Sequence, residues 1–281
     1  MYPILVSWGP IQIFSFSVFL IFAWLVFSFL FWKILRGGGV VEERIFDLTF
    51  YATLTSALGA RLAFVTLHWE LFSDTPLKIV AIWVQPGLSL YGGLITGLLT
   101  LIYLTRRYKI RLGLVLDALG LTIPAALLIG EIGSLLDGTQ VGKITNSPWA
   151  MRYIGAVGRR HPVQLYEMIS LIVILLAVIF WAKRSSQQKW PYGLVGIWFF
   201  ALFAAFMFAL EFFKDSSVYW NSLSANQWVL IAIFAEALGA FYVRGGGRER
   251  MRPYFARVRE KLESVLKGVY AKFPQRRTHE H

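Results

Sequence analysis

Arg61 places a charge inside a strongly apolar segment, and such a residue either does chemistry or has a structural partner. An arginine at the centre of a membrane span costs about 2.5 to 3.5 kcal/mol, so we expect this side chain to face protein or water. Its guanidinium matches phosphate oxygens, which predicts a lipid phosphate as ligand. The alternatives are a side chain that reaches the membrane surface or an ion pair with Glu131, Glu167 or Glu211.

Glu167 and Glu211 also lie on strongly apolar segments. Structural hydrogen bonding or ion pairing is one interpretation of these acids, and a proton relay is the other. No regular column of acids along the chain supports a relay. Asp47, Asp117 and Glu236 fall near the ends of apolar segments, where we expect them to be hydrated.

The sequence excludes several kinds of catalytic site. Cysteine is absent, which excludes disulfides, thiolate metal sites and a cysteine nucleophile. There are four histidines, two of them within the last three residues, and no paired-histidine metal motif. Phosphate-loop and Gly-x-Ser-x-Gly patterns are also missing. We expect neither a metal nor a cofactor.

Gly92 and Gly93 follow residues 85–87 (Gln-Pro-Gly) where the chain enters an apolar segment. Close packing of helices is one explanation for two glycines at such a position. The other is a close approach of backbone to a lipid headgroup, which only a residue without a side chain permits.

The composition and the apolar runs predict an all-α integral membrane protein. Hydrophobic residues make up 57% of the 281 positions and charged residues 16%, where soluble domains carry about 25%. Uncharged runs such as residues 11–32 and 191–210 are long enough to cross about 30 Å of hydrocarbon. We predict seven transmembrane helices, at residues 11–32, 45–67, 88–105, 112–129, 163–182, 192–213 and 226–243. Because the first charged residue is Lys33, we expect the first span to be retained rather than cleaved as a signal peptide.

The distribution of lysine and arginine predicts the orientation. With the N-terminus outside, 21 of these residues fall on the cytoplasmic side and six on the outer side. Basic segments are retained in the cytoplasm, so we predict an outer N-terminus and a cytoplasmic C-terminus. The outer loop from about Gly130 to Pro162 contains four glycines before Lys143, and we expect it to be non-helical.

The strongly basic C-terminal segment sets residues 244–281 apart from a membrane domain of residues 1–243. This tail carries eleven basic and four acidic residues and so supplies most of the net charge of +12. Apolar residues recur in it at helical spacing, which predicts a basic amphipathic helix on an anionic membrane surface. The alternative is a solvated basic tail. We expect no binding to nucleic acid.

Five segments occur in the same order as motifs of a known enzyme family, which they resemble. They are residues 9–11 (GPI), 59–63 (GARLA), 87–95 (GLSLYGGLI), 130–142 (GEIGSLLDGTQVG) and 160–167 (RHPVQLYE). The third resembles the His-Gly-Gly motif of the bacterial prolipoprotein diacylglyceryl transferases. The fourth is similar to their long signature, Gly-Arg-x-Gly-Asn-Phe-x-Asn-Gly-Glu-x-x-Gly. The fifth is close to their Arg-His-Pro-x-Gln-Leu-Tyr-Glu.

The resemblance implies a seven-helix protein of the bacterial inner membrane that holds phosphatidylglycerol. Members of this family transfer a diacylglyceryl group to the thiol of a lipobox cysteine in a lipoprotein precursor. The nucleophile belongs to the substrate, so a chain without cysteine is compatible with this reaction. The resemblance assigns headgroup binding to Arg61, Gly92, Gly93, Gly142, Arg160, His161 and Glu211.

The departures from the family pattern fall where its chemistry is placed. Tyr91 stands at the histidine of the His-Gly-Gly motif, and it becomes the candidate catalytic residue. The other substituted positions are Phe16 for tyrosine, Glu131 for arginine, Ser134 for asparagine, Thr139 for glutamate and Met207 for arginine. Tyrosine, with a usual pKa near 10, is a poor base at neutral pH, and a glutamate repels the phosphate that an arginine attracts.

Two hypotheses about function remain open at this point. The first is a divergent, non-catalytic relative that binds phospholipid or lipoprotein precursors, and the loss of the base and of the cations favours it. The second is an active diacylglyceryl transferase with a rearranged site around Tyr91, which family membership favours. An unrelated channel or transporter would require five ordered motif matches to be accidental.

Overall fold

The computed structural model describes residues 2–9, 11–138, 140–217 and 220–245. Within these residues the chain forms seven α-helices of 18 residues or more, and each overlaps one predicted span. They are α1 (Ser15–Gly37), α2 (Glu42–Leu67), α3 (Leu90–Arg107), α4 (Leu112–Asp137), α5 (Val163–Gln188), α6 (Leu194–Glu211) and α7 (Ala225–Arg244). Two short 3-10 helices, Trp69–Leu71 and Pro76–Ile79, lie between α2 and α3.

Six of these helices are long and apolar enough to cross a membrane, namely all except α3. Large apolar side chains such as Leu62, Leu99 and Leu176 are exposed along the helices. Such a surface suits hydrocarbon rather than water as the surrounding medium. The protein is therefore a multi-pass, helical integral membrane protein.

Two small antiparallel hairpins accompany the helices, and the all-α prediction did not include them. The first pairs β1 (Ile4–Trp8) with β2 (Ile11–Phe14), and the second pairs β3 (Met151–Arg152) with β4 (Arg159–Arg160). The first span was predicted to begin at residue 11, but residues 11–14 are a strand. The N–H of Ser15 donates to the carbonyl of Pro3 at 2.9 Å, which fixes the hairpin to the start of α1.

Helix α4 extends further than its glycines suggested. The expectation of a non-helical segment is wrong for residues 130–137, because the helix continues to Asp137 and ends at Gly138, whose φ is +74°. The described residues between 138 and 162 contain no helix, as expected. A Cβ on Gly133 would lie 2.6 Å from the Cβ of Phe19 in α1. Close packing against α1 thus stabilises a stretch whose helix propensity is low.

Helices α2 and α3 pack along a glycine seam that consists of Gly59, Gly92, Gly93 and Gly97. A Cβ on Gly59 would lie 2.1 Å from the hydroxyl oxygen of Thr96. That hydroxyl donates to the carbonyl of α2 residue 55 at 2.9 Å. Small residues and hydroxyl hydrogen bonds are the usual means of packing helices in a membrane, and they hold α3 firmly against α2.

Asp117 of α4 binds the start of α6. Its carboxylate accepts hydrogen bonds from the N–H groups of Gly193 and Gly196 at 2.7 and 2.9 Å. The expectation that Asp117 is merely hydrated is therefore wrong. A Cβ on Gly196 would lie 2.2 Å from the carbonyl oxygen of Leu116, so glycine is required where the two helices meet.

The helices alternate in direction and so define two ends of the bundle. We call the end where α2, α4 and α6 finish the cluster end, and the other the opposite end. Residues 1–237 form one compact unit, and the contacts and the cavity described below lie in it. The predicted amphipathic tail helix falls on residues 246–281, which lie outside the described residues.

We expect Gly92→Ala to destabilise the protein by about 1 to 3 kcal/mol, as overpacking generally does. The added Cβ would lie 2.3 Å from the Cβ of Ala63 and 2.6 Å from the carbonyl oxygen of Gly59. Gly130→Ala is the matched control, since its Cβ meets nothing within 4 Å. Thermal unfolding in detergent measures both variants, and equal midpoints would contradict the seam.

We expect Asp117→Ala to loosen the start of α6, because two backbone N–H groups lose their acceptor. The cost is about 1 to 3 kcal/mol for buried donors left without a partner. Asp117→Asn keeps one acceptor oxygen, so its stability should fall between those of the unmodified protein and Asp117→Ala. Hydrogen exchange at Gly193 and Gly196 reports the effect directly, and unchanged exchange in Asp117→Ala would refute this role.

Candidate functional site

Charged residues from three helices meet at the cluster end around Lys214. We define the acid–lysine cluster as Glu131 of α4, Glu167 of α5, Glu211 of α6 and Lys214. The Nζ atom of Lys214 lies 2.7 Å from Oε1 of Glu167 and 3.4 Å from Oε2 of Glu211, and both carboxylates are buried. Two ion pairs therefore connect α5 to the end of α6.

The backbone around Lys214 is held by the last part of the family signature. Residues 141–143 run antiparallel to residues 213–215, with Gly142 bridged to Lys214. The N–H of Lys143 donates to the carbonyl of Phe213 at 2.8 Å. This pairing fixes the backbone of Lys214, from which its side chain extends to the two carboxylates.

The ammonium group of Lys214 is already ion-paired with two carboxylates. Burial lowers the pKa of Lys214, but the carboxylates of Glu167 and Glu211 outweigh burial and bring the pKa above its usual value. Sequence analysis counted this lysine only as an outer basic residue. Its position three residues after Glu211 was the available signal, because the turn that ends α6 brings these two residues together.

Tyr91 is connected to the acid–lysine cluster through Asn226 of α7. Its hydroxyl donates to Oδ1 of Asn226, whose Nδ2 group donates to Oε1 of Glu211 at 3.0 Å. The hydroxyl of Ser224 donates to the same carboxylate oxygen at 3.0 Å. A continuous polar chain thus runs from Tyr91 to Lys214. Neither Ser224 nor Asn226 was singled out from the sequence.

Glu131 adds a third carboxylate to the cluster. It lies beside Glu167 and interacts electrostatically with it and with Lys214. Its Oε2 atom is buried without a hydrogen-bond partner, as are the hydroxyl of Ser134 and Oε1 of Gln140. The cluster therefore contains three carboxylates and one ammonium group, together with buried acceptor atoms nearby.

Arg160, His161 and Gly142 form the wall beside the cluster. Nη1 of Arg160 lies 2.7 Å from Oδ2 of Asp215 and 3.1 Å from the carbonyl oxygen of Gly142. Nδ1 of His161 is 3.0 Å from the hydroxyl of Tyr166. A Cβ on Gly142 would lie 2.3 Å from the carbonyl oxygen of His161, so the glycine permits this close approach.

Arg61 binds backbone carbonyls rather than an acid. Its guanidinium donates to the carbonyl oxygens of Lys78, Ile79 and Gly87 at 2.7 to 2.9 Å and lies over the ring of Phe72. The alternative of an ion pair with Glu131, Glu167 or Glu211 is therefore wrong. The contacts show a buried arginine that organises the loop between α2 and α3.

The remaining predicted positions are not among the contacts of the cluster described above. Gly92 and Gly93 pack directly against α2, which agrees with close helix packing as the explanation for these glycines. Phe16 is partly exposed at the start of α1, and Met207 is partly buried one turn before Glu211. Thr139 lies outside the described residues.

Comparison with known proteins identifies the family. The family model described as "Prolipoprotein diacylglyceryl transferase" matches residues 3–243. A phosphatidylglycerol–prolipoprotein diacylglyceryl transferase from Bordetella avium is 29% identical over 85% of this chain and 93% of its own length. A relative of the same name from Nitratidesulfovibrio vulgaris is 33% identical over 76% of this chain and 80% of its own length. Another, from Geobacter sulfurreducens, is 31% identical over 64% of this chain and 68% of its own length. The resemblance found in the sequence is confirmed, and the chain belongs to the prolipoprotein diacylglyceryl transferase family.

Proposed function

We propose that this family member binds a phospholipid or a lipoprotein precursor at the cluster end, and that its diacylglyceryl transfer is lost or altered. Phosphatidylglycerol is the expected lipid, since the relatives' names contain it. The observation that carries the proposal is the acid–lysine cluster, in which Lys214 is ion-paired with two carboxylates. The proposed headgroup contacts are Arg160, His161, Gly142 and Glu211, with Arg61 and the two glycines as their support.

The charge of the cluster argues against the family's usual handling of phosphate. A unit charge about 4 Å from a phosphate contributes about 4 kcal/mol at an effective dielectric constant of 20. Glu131, in place of an arginine, supplies no such attraction, and its ionised form repels the phosphate. Met207 supplies no charge, and Arg160 is already paired with Asp215. Stabilisation of a leaving phosphate is correspondingly weakened.

The hydrogen bonding of Tyr91 also supports loss or change of the reaction. A general base must accept a proton from the substrate thiol, and it must have the right protonation state to do so. The hydroxyl of Tyr91 instead donates a hydrogen bond to Oδ1 of Asn226. The phenol form is thereby favoured over the phenolate that catalysis would need.

An active transferase is the second candidate, which family membership favours, and its site would include the polar chain from Tyr91 to Lys214. Asn226 and Glu211 connect the two side chains by successive hydrogen bonds and an ion pair. In this candidate Tyr91 is the catalytic base and takes the proton of the lipobox cysteine thiol. The sulfur then bonds to the diacylglyceryl carbon of phosphatidylglycerol, and glycerol phosphate leaves from that carbon.

The proposed setting is the bacterial inner membrane, crossed seven times, with the cluster end outside. In this arrangement α3 also crosses the membrane, in addition to the six helices named above. Its close packing against α2 supports that placement. The basic residues support the orientation, and the tail of residues 244–281 then lies on the anionic cytoplasmic surface.

The absence of cysteine allows a sharp test of the orientation. Ser216→Cys is exposed at the cluster end, and Gln187→Cys is exposed at the opposite end. We expect a membrane-impermeant maleimide to label the first variant in intact spheroplasts and the second only after lysis. The two variants control each other, and the reverse pattern would contradict an outer cluster end.

Purified protein, labelled phosphatidylglycerol and a lipobox peptide test the proposed function. We expect transfer at least about 10² slower than by the Nitratidesulfovibrio vulgaris relative, because a missing general base typically costs about 10² to 10⁴ in rate. Tyr91→His alone should recover little, since a base acts only on a substrate that is already positioned. Adding Glu131→Arg and Met207→Arg should raise the rate more than the sum of the single changes.

Tyr91→Phe is the matched control for this series. If the unmodified protein is as active as the relative and Tyr91→Phe abolishes that activity, the second candidate is correct and Tyr91 is the base. Full activity in Tyr91→Phe would instead exclude Tyr91 from catalysis and overturn the argument built on its hydrogen bond.

A further inference from the structure

A basic cavity lies at the opposite end of the bundle, far along the helices from the acid–lysine cluster. It has a volume of about 310 Å³ and is formed where α1 meets α2, where α3 meets α4, and just before α6. Its walls are residues 38–41, Arg44, residues 108–111, Leu114 and Tyr192. No function has been assigned to these residues above.

The charges around this cavity have one sign. Arg44, Lys109 and Arg111 line it, and no carboxylate does. Within the described ranges, none of the three forms an ion pair, whereas Arg160 and Lys214 at the cluster end do. Three cations that converge without an acid between them repel one another. A bound anion would relieve that repulsion.

Two of the cations are held in place by aromatic rings. The guanidinium of Arg44 lies 5.8 Å from the ring centre of Tyr108 and donates to the carbonyl of that residue at 3.1 Å. The guanidinium of Arg111 lies 5.5 Å from the ring centre of Tyr192. The hydroxyl of Tyr108 is fixed in turn by Asp47 at 2.6 Å. The cavity is therefore largely preformed, which reduces the entropy lost on binding.

The start of α4 adds to the positive potential at the cavity. Arg111 is the N-cap of this helix, no side chain caps it, and its first turn contains no acid. The first N–H groups of a helix lack intrahelical acceptors and form the positive end of its dipole. Leu114, in the same first turn, lines the cavity.

We propose that this basic cavity binds the phosphate of an anionic phospholipid. The cavity opens where apolar helix surfaces end, and Val41 and Tyr192 at its rim are about half exposed. A membrane lipid presents its phosphate at that depth while its acyl chains lie along the helices. Basic pockets between the ends of membrane helices bind such headgroups.

A single fluorescent probe tests the proposal at the cavity itself. Val41→Cys places the protein's only cysteine at the rim, where an environment-sensitive dye can be attached. The labelled full chain in neutral detergent is titrated with phosphatidylglycerol, with phosphatidylcholine and with inorganic phosphate. We expect a saturable signal for phosphatidylglycerol, weakened by high salt because the cations are exposed.

The decisive comparison adds Lys109→Gln with Arg111→Gln to the labelled protein. We expect about 30-fold weaker binding of phosphatidylglycerol, the change expected if each cation contributes about 1 kcal/mol. Lys183→Gln with Arg184→Gln is the matched control, since it removes two exposed charges at the same end outside the cavity. Its affinity should stay within about twofold of the parent.

Three outcomes would overturn the proposal. One is equal binding of phosphatidylcholine and phosphatidylglycerol, which would mean that charge is not recognised. Another is an equal loss of affinity in the two double variants, which would reduce the effect to general surface charge. The third is inorganic phosphate binding as tightly as phosphatidylglycerol, which would assign the cavity to a soluble anion. Thermal unfolding of both double variants verifies that they fold.

Discussion

The ammonium group of Lys214, held between the buried carboxylates of Glu167 and Glu211, is the contact on which the cluster end depends. Removing one partner of a buried ion pair generally costs about 3 to 5 kcal/mol, because the charge left behind has no counter-ion. Here one lysine serves two carboxylates. Its backbone also pairs with residues 141–143, so the same residue fixes the loop that follows α4.

This arrangement explains how a member of the family can keep the fold while residues of its motifs are substituted. The segments that position the site, including Arg61 and Gly142, are fixed by backbone contacts that do not depend on a bound substrate. The groups that would act on a phosphate are different in kind. Glu131 stands where the family pattern has an arginine, and Lys214 is engaged by Glu167 and Glu211. Scaffold and reaction therefore have separable requirements.

The sequence predicted the helices well because each apolar run is long and nearly free of charge. The motif matches also singled out Glu131, Glu211 and Tyr91, but they did not predict that these residues meet at one end of the bundle. Prediction from the sequence failed where tertiary contacts decide. Backbone carbonyls, which bind Arg61, have no signature in a sequence, and the helicity of α4 past Gly130 depends on packing against α1. Residues 11–14 look like the start of a span because an apolar strand and an apolar helix have similar composition.

The glycine seam between α2 and α3 restricts how these two helices can evolve. The side chain of Thr96 occupies the space where a Cβ of residue 59 would lie, so position 59 must be glycine. In the same way, the side chain of Ser56 requires glycine at position 97. A larger residue on one side requires a smaller one on the other, so substitutions along the seam must arise as compensating pairs. Related sequences should therefore show covariation between positions 59 and 96 and between positions 56 and 97, even where both helices have otherwise diverged.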